Sequence, residues 1–380
     1  MTGIAGLRMS MLAPGLARGG MTRAYSLACS LRAAGVEVEI IGALAHGEDV
    51  YPEPPQGITV LPVSFSPARR ALETRRLVRG EVLYALKPRV TSFGMALSCR
   101  KGRRLLLDID DRETAFHAEF DAVSWRGRAR RRVRRARNLD DVAYTRWMEE
   151  FTHRASAITA NSHVLCQQFR AVHVPSAKDT AVFDPARYDG DVCRRALGLE
   201  GLRVIMFPGT PRPHKGVEDA AAALESLGWR DARLVLVGGR EVGHAYAQAL
   251  EAKYGPRVIH LPRFGIDAMP SVVAAAHVVV VPQRDTAVAR AQFPMKITDA
   301  MAMAKPIIAT RVGDIPAALD GAAYLVEPSS PTQIARALEA IFDDPHDAAR
   351  RGREARIRCE RTFSTTAVAE ILRGVLEGTQ

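Results

Sequence analysis

Residues 292–310, from Gln292 to Thr310, read QFPMKITDAMAMAKPIIAT. Ile297, Ala300, Met301 and Ala304 fall at i, i+3, i+4 and i+7, the apolar stripe of a helix with one buried face. Pro294 suits the first helical position, where its missing N–H costs nothing. A short turn ends at Pro306, and Ile307–Thr310 is apolar without alternation, as in a strand covered on both faces. Helix, short turn and doubly buried strand make half of a β-α-β unit.

The same rhythm runs outward along the chain in both directions. Apolar strands are predicted at Arg8–Leu12, Val36–Ile41, Ile58–Val63, Val82–Ala85, Leu105–Ile109, Ala157–Ala160 and Val172–Val174. A second set follows at Val204–Phe207, Leu234–Val237, Val258–Leu261, Val278–Val281, Ile307–Thr310 and Tyr324–Val326. Helical patterns lie between them, including Thr22–Ala34 and a segment capped by Ser162, and a final helix spans Thr366–Leu376. Pro175–Asp191 has little apolar periodicity and reads as a linker. The fold class is therefore α/β: two Rossmann-like, doubly wound parallel sheets facing each other across a cleft. Residues 1–185 and 186–362 form the two domains, and 363–380 a C-terminal helix packing at the seam between them.

A chain of 380 residues with 47% hydrophobic and 25% charged residues fits a globular protein of two domains. No apolar run approaches a membrane span, and Met1–Gly15 has no signal-peptide pattern, so a cytoplasmic protein is expected. The five cysteines are scattered, which argues for free thiols and no zinc site. The net charge of +11 favours anionic partners. Much of the excess lies in RGRARRRVRRAR, Arg126–Arg137. A solvated basic segment is the plain reading, and peripheral contact with a membrane face is the second. Nucleic acid comes last, for want of interleaved aromatics or a reader motif.

Four stretches carry candidate chemistry. Phe207–Gly216, FPGTPRPHKG, joins a strand to a helix; free amides, the helix end and Lys215, with Arg212, would attract an anion there. It is no P-loop, because G-x-x-x-x-G-K-[ST] is absent. In the opening stretch, Lys296 and Asp299 stand beside the core stripe. Either they form an exposed i,i+3 ion pair, or the helix start holds a phosphate while Asp299 accepts hydrogen bonds from vicinal hydroxyls. Asp108-Ile109-Asp110-Asp111-Arg112-Glu113 closes a strand. It reads as a D-x-D metal and diphosphate site, as a wall touching acceptor or sugar, or as local caps. A haloacid-dehalogenase phosphatase would want Thr where Arg112 stands. Pro14–Met21 lacks G-x-G-x-x-G, which disfavours a nicotinamide enzyme, and its glycines would let a ligand approach the backbone.

Taken in order, these pieces resemble the GT-B, family-4-like glycosyltransferases. The resemblance rests on Gly19-Gly20-Met21, Asp108–Asp111, Asp179–Pro185, Gly209 with Lys215-Gly216, and Asp299–Ala302 with Lys305–Ala309. It implies metal-independent transfer, with retained configuration, of a hexosyl-type sugar from a UDP-, GDP- or dTDP-sugar. No resident cofactor or metal is implied. The donor would sit on the C-terminal domain and a small-molecule, glycan or lipid-linked acceptor on the N-terminal one. By the same resemblance Lys215, Arg212 and Asp110 are the catalytic candidates. Gly19, Gly20, Gly209, Lys215, Arg263, Phe264, Phe293, Lys296 and Asp299 would contact the donor. Ala291 stands where the family has the first Glu of its pair, and Thr210 where it commonly has Arg. A nucleotide-sugar epimerase of the same architecture and a non-catalytic nucleotide-sugar-binding protein are the alternatives.

Overall fold

Two parallel sheets organise the protein, one of seven strands and one of six. The computed structural model describes residues 4–17, 20–114, 139, 141–238 and 244–378. By internal contacts the chain divides into Met1–Ala177 with Thr365–Gln380, and Lys178–Ser364. The sequence boundaries stood at 185/186 and 362/363. The division within 175–191 falls where the chain leaves the last strand of the first sheet.

In the first unit the strands are β1 (Arg8–Ala13), β2 (Glu37–Ala43), β3 (Thr59–Val63), β4 (Val82–Leu86), β5 (Arg104–Ile109), β6 (Ala157–Ala160) and β7 (Val172–His173). They lie in the order β3-β2-β1-β4-β5-β6-β7. Every pairing is parallel; Met9, for example, lies opposite Val38 on one side and Val82 on the other. The order reverses between β1 and β4, so the loops leaving these two strands diverge and open a crevice at their carboxyl ends. The helix Met21–Ala33 follows β1, and the last helix, Thr365–Gly378, packs against it. That last helix buries Val368, Ala369, Leu372, Val375 and Leu376, the face its period predicts.

The second unit contains β8 (Arg203–Phe207), β9 (Ala232–Val237), β10 (Val258–Leu261), β11 (Val278–Val281), β12 (Ile307–Thr310) and β13 (Tyr324–Val326). Their order is β10-β9-β8-β11-β12-β13, again parallel throughout. Here the reversal falls between β8 and β11. All four valines of β11 and all four residues of β12 are buried, as expected of strands covered on both faces. The stretch that opened the analysis forms a helix over Met295–Ala302, with Pro294 just before it in extended backbone. Six of its residues, from Ile297 to Ala302, are buried, so its apolar surface is wider than one stripe. The helix stops because Ala304 turns left-handed, at φ 50°, ahead of Pro306.

Element boundaries differ from the sequence reading by a residue or two at most strand ends, where pairing rather than apolarity sets the limit. A helix is described over Val142–Glu150, between β5 and β6. The basic run Arg126–Arg137 lies outside the described residues. No described helix is long and apolar enough to cross a membrane, and all five cysteines are free thiols.

Candidate active site

In the second unit the loop after β8 and the loop after β11 meet at the point where strand order reverses. The first runs from Pro208 to Gly216 and enters the helix Val217–Leu227. Gly216 has φ +64°, and a Cβ there would stand 1.9 Å from the Pro282 carbonyl oxygen. Only glycine lets the two loops approach so closely. The backbone N–H of Arg284 donates to the His214 carbonyl at 3.0 Å, and its guanidinium donates to Asp219 at 3.1 Å, tying the loops further.

Lys215 is aimed by these contacts. Its Nζ donates to Oε1 of Gln292 at 2.9 Å and to Oε1 of Gln283 at 3.2 Å. Gln283 is fully buried, and its carbonyl accepts a 2.7 Å bond from the Thr310 hydroxyl at the end of β12. The two side-chain amide oxygens accept from the ammonium and fix its direction. Neither glutamine was singled out from the sequence; their one signal is that each follows a strand or helix end beside the predicted anion site.

Lys296 turns back over β8. Its Nζ lies 4.7 Å from the centroid of the Phe207 ring. Burial lowers its pKa to about 8; Asp299 opposes the shift and Arg212 adds to it. A second cation that is half-starved of solvent therefore stands close to Gly209, and the Arg212 charge is felt there too.

Asp299 does not look toward Lys296. It pairs with Lys178, and both side chains are nearly enclosed, at 13% and 11% exposure. The Lys178 ammonium also lies 4.3 Å from the centre of the Phe183 ring. The acid is thus engaged by a partner more than a hundred residues away, which no local pattern announces. Ala291, in the place of the family's first Glu, is fully buried, and its neighbour Gln292 supplies the polar group that reaches Lys215. The Phe293 ring stacks on Phe363, centroids 5.4 Å apart, so its side chain serves the core. Phe264 packs against the same core, while Arg263 is exposed beside Gly238.

The first unit holds a different charge system at the mouth of β1, β4 and β5. Asp108 is buried and accepts two bonds from the Arg23 guanidinium, at 2.7 and 3.0 Å, and one from Thr159 at 2.7 Å. Its role is structural: it closes a buried network that also includes Tyr84, whose hydroxyl lies 2.6 Å from Thr159. Lys87, at φ 68° just after β4, sends its ammonium among three carboxylates. Asp110 lies at 3.0 Å, Asp111 at 2.8 Å and Glu113 at 2.6 Å. Arg89 pairs with Glu113 as well. One reading of the D-x-D stretch was a divalent-metal site, and Asp110, Asp111 and Glu113 do lie close enough to share an ion; the Lys87 ammonium occupies their midst. Burial pushes Asp110 up to about 6 despite Lys87, with Asp111 and Asp108 adding to the rise. Lys87 stays well above the ordinary lysine range because the carboxylates outweigh the effect of burial.

A cavity of about 520 Å³ opens here, lined by Pro14–Ala17, Gly20, Phe65, Lys87, Arg89 and Asp110 among others. Gly20 lies against Lys87: a Cβ on it would stand 3.8 Å from Cε of the lysine. Gly19 lies outside the described residues. The sequence candidates thus fall into two sets. Gly209, Arg212, Lys215 and Lys296 gather in the second unit, and Gly20 and Asp110 in the first.

Residues 202–344 match the family model of the group 1 glycosyl transferases. The D-inositol 3-phosphate glycosyltransferase of Corynebacterium diphtheriae is 31% identical over 219 residues, which is 54% of this chain and 49% of that protein. The chain spans about half the length of the curated relatives it matches. Among solved structures, HepE of Anabaena in complex with UDP and glucose superposes with a TM-score of 0.75 at 16% identity, covering 98% of this chain and 99% of that one. Sucrose-phosphate synthase from Thermosynechococcus elongatus gives 0.74 at 17% identity, with 98% of each chain covered. The resemblance drawn from the motifs and the two-sheet GT-B fold class both hold.

Proposed function

We propose, from a chain with the fold of the GT-B glycosyltransferases whose residues 202–344 match the group 1 family, that the protein moves a hexosyl-type sugar. The donor is a nucleoside-diphosphate sugar and the acceptor nucleophile a hydroxyl. The observation that carries this reading is Lys215, whose ammonium donates to Gln283 and Gln292 where the β8 and β11 loops meet, at the strand-order reversal of the second sheet. UDP in the complex with HepE of Anabaena supports a donor of the same class.

The anomeric C–O bond to the diphosphate breaks through an oxocarbenium-like state, and a bond from the acceptor oxygen to the same carbon forms. Negative charge grows on the leaving phosphate oxygens. Lys215, Arg212, Lys296 and the amides opening the helix Met295–Ala302 stabilise it as it appears. With attack from the leaving-group side, the acceptor proton passes to a departing phosphate oxygen and configuration is retained. No step requires a metal, because lysine and arginine supply the positive charge.

Turnover of Lys215→Ala tests the reading. Losing an ammonium that meets the leaving group costs at least ~100-fold in kcat. Free nucleoside diphosphate should appear only when acceptor is present. An unchanged rate in Lys215→Ala removes the residue from the mechanism, and an altered sugar without acceptor turns the reading to epimerisation.

A further inference from the structure

At the amino ends of β11 and β12 the second unit holds a cavity of about 500 Å³. The Lys215 loop lies at the carboxyl end of the same sheet. With β11 four residues long, a strand length of roughly 13 Å separates the two. Two cations line the cavity, Arg194 and Lys305, and no carboxylate does. Both have a structural duty: Lys305 donates to the Ala274 carbonyl at 2.6 Å and Arg194 to that of Ala275 at 3.1 Å, closing the end of the helix Met269–Ala274. Arg194 also pairs with Asp191, whose side chain is 77% exposed. Of the other acids beside the lining, Asp184, Asp189 and Asp344 accept from backbone amides at helix starts, Asp347 holds Arg350 and Arg351, and Asp343 is exposed. Among the described residues no carboxylate pairs with Lys305, and the Ala274 carbonyl takes one of its three N–H donors.

Burial holds the Lys305 ammonium down to about 8, with Arg194 adding to the fall. A cation so placed is stabilised by an anion that enters beside it. His277 supplies a neutral donor on the same lining. The Val204 amide donates to its Nδ1 at 3.0 Å, which puts the ring proton on Nε2, and burial pushes its pKa down to about 4. The remaining walls are mainly apolar, with Tyr188, Met303, Pro306, Ile341 and Phe342 among them. A lysine without a counter-ion in such walls suits one negative charge on an apolar body. A phosphate monoester would bring a second charge and three strong acceptor oxygens, for which the walls have few donors.

We propose that this cavity is a second ligand site, separate from the Lys215 site, and that it binds a small amphipathic carboxylate. The carboxylate meets the Lys305 ammonium, with His277 as a further donor, and the apolar body lies against Met303, Ile341 and Phe342. The inference stands apart from the glycosyl-transfer reading, because none of these groups belongs to the Lys215 site.

Calorimetry on the full chain tests it with benzoate, 3-phenylpropionate and hexanoate, each beside its uncharged amide. At least one acid should bind with a Kd of about 1 mM or tighter, and its amide at least about tenfold more weakly. Lys305→Gln keeps a donor for the Ala274 carbonyl and removes the charge, so it should weaken the acid about tenfold and leave the amide unchanged. Lys215→Ala should leave the acid's affinity unchanged. The proposal is overturned if none of the acids binds, if acid and amide bind equally, or if Lys215→Ala abolishes acid binding. An affinity unmoved in Lys305→Gln protein that still melts cooperatively has the same force. Inorganic phosphate is the competing anion, and its displacing the acid at equal concentration also sinks the assignment. Should Lys305→Gln fail to fold, wild-type crystals soaked with the bound acid decide. A carboxylate beside Lys305 sustains the inference; an acid seated at Lys215, or nowhere in this cavity, refutes it.

Discussion

A Cβ built on Gly209 would lie 3.0 Å from Cε and 3.3 Å from Nζ of Lys296. The glycine at the head of the β8 loop is thus the space into which the lysine of the following helix folds. In that position the ammonium is held over Phe207 and loses solvent, which is why its pKa falls. Gly209→Ala should displace the flexible end of Lys296 at little cost to the fold, within about 1 kcal/mol. Affinity for nucleoside diphosphate should drop roughly tenfold, about 1.4 kcal/mol. Calorimetric titration with UDP and GDP, beside a urea melt, checks both halves.

Lys296 also sets a pH limit. Its pKa is lowered to about 8 from 10.5, so above pH 8 the native lysine is mostly neutral. A diphosphate favours the charged form, so binding near pH 8 should take up protons and affinity should weaken as pH rises through about 8. Calorimetry in buffers of differing ionisation enthalpy reads the uptake directly. In the free protein the sign is the reverse for stability: the unfolded chain holds this proton up to about 10.5, so the contribution to folding rises between about pH 8 and 10.5. Affinity indifferent to pH across that window would place Lys296 away from the phosphates.

Asp110 governs the acid side. Burial holds it near 6, against the attraction of Lys87 and with help from Asp111, Asp108 and Glu113. If its ionised form accepts the acceptor hydroxyl, kcat/KM for acceptor should rise through about pH 6, and Asp110→Asn should erase that limb. Between about pH 4 and 6 the native state binds more protons here than the unfolded chain, so this group's contribution to stability is lost as pH rises.

Lys178 and Asp299 form a nearly enclosed pair, and removing one partner strands the other. Asp299→Ala should cost about 3 kcal/mol in a urea melt. Replacing both, Lys178→Met with Asp299→Leu, should recover most of that loss, because an apolar pair avoids the desolvation of two charges. If Asp299 also holds a ribose, the double variant will be stable yet weak for nucleotide, and stability and binding will separate.

Arg23 and Asp108 obey the same rule in the first unit. At 5% and 1% side-chain exposure they are more deeply buried than any other pair discussed. Asp108→Ala should destabilise by about 3–5 kcal/mol, and its effect should appear in the melting midpoint rather than in acceptor selectivity.

The sequence by itself determined the alternation of doubly buried strands with helices, and hence two parallel sheets. Periodicity and apolarity are local properties, legible in Ile307–Thr310 or in the final helix without knowledge of any partner. It also marked Gly209, Lys215 and Lys296, because a strand-to-helix turn with a lysine advertises an anion site through backbone geometry alone. What it could not fix was partnership. Asp299 and Lys296, three residues apart, looked like each other's counterion, yet one reaches Lys178 and the other lies over Phe207. Asp108 and Asp110, two residues apart on an acidic run, separate into an acid held by Arg23 and one beside Lys87. Gln283 and Gln292 showed no signal because their task exists only once the β8 and β11 loops meet. Charges pair through space, and strand order decides which distant cation arrives beside which acid. Only the tertiary structure carries that information.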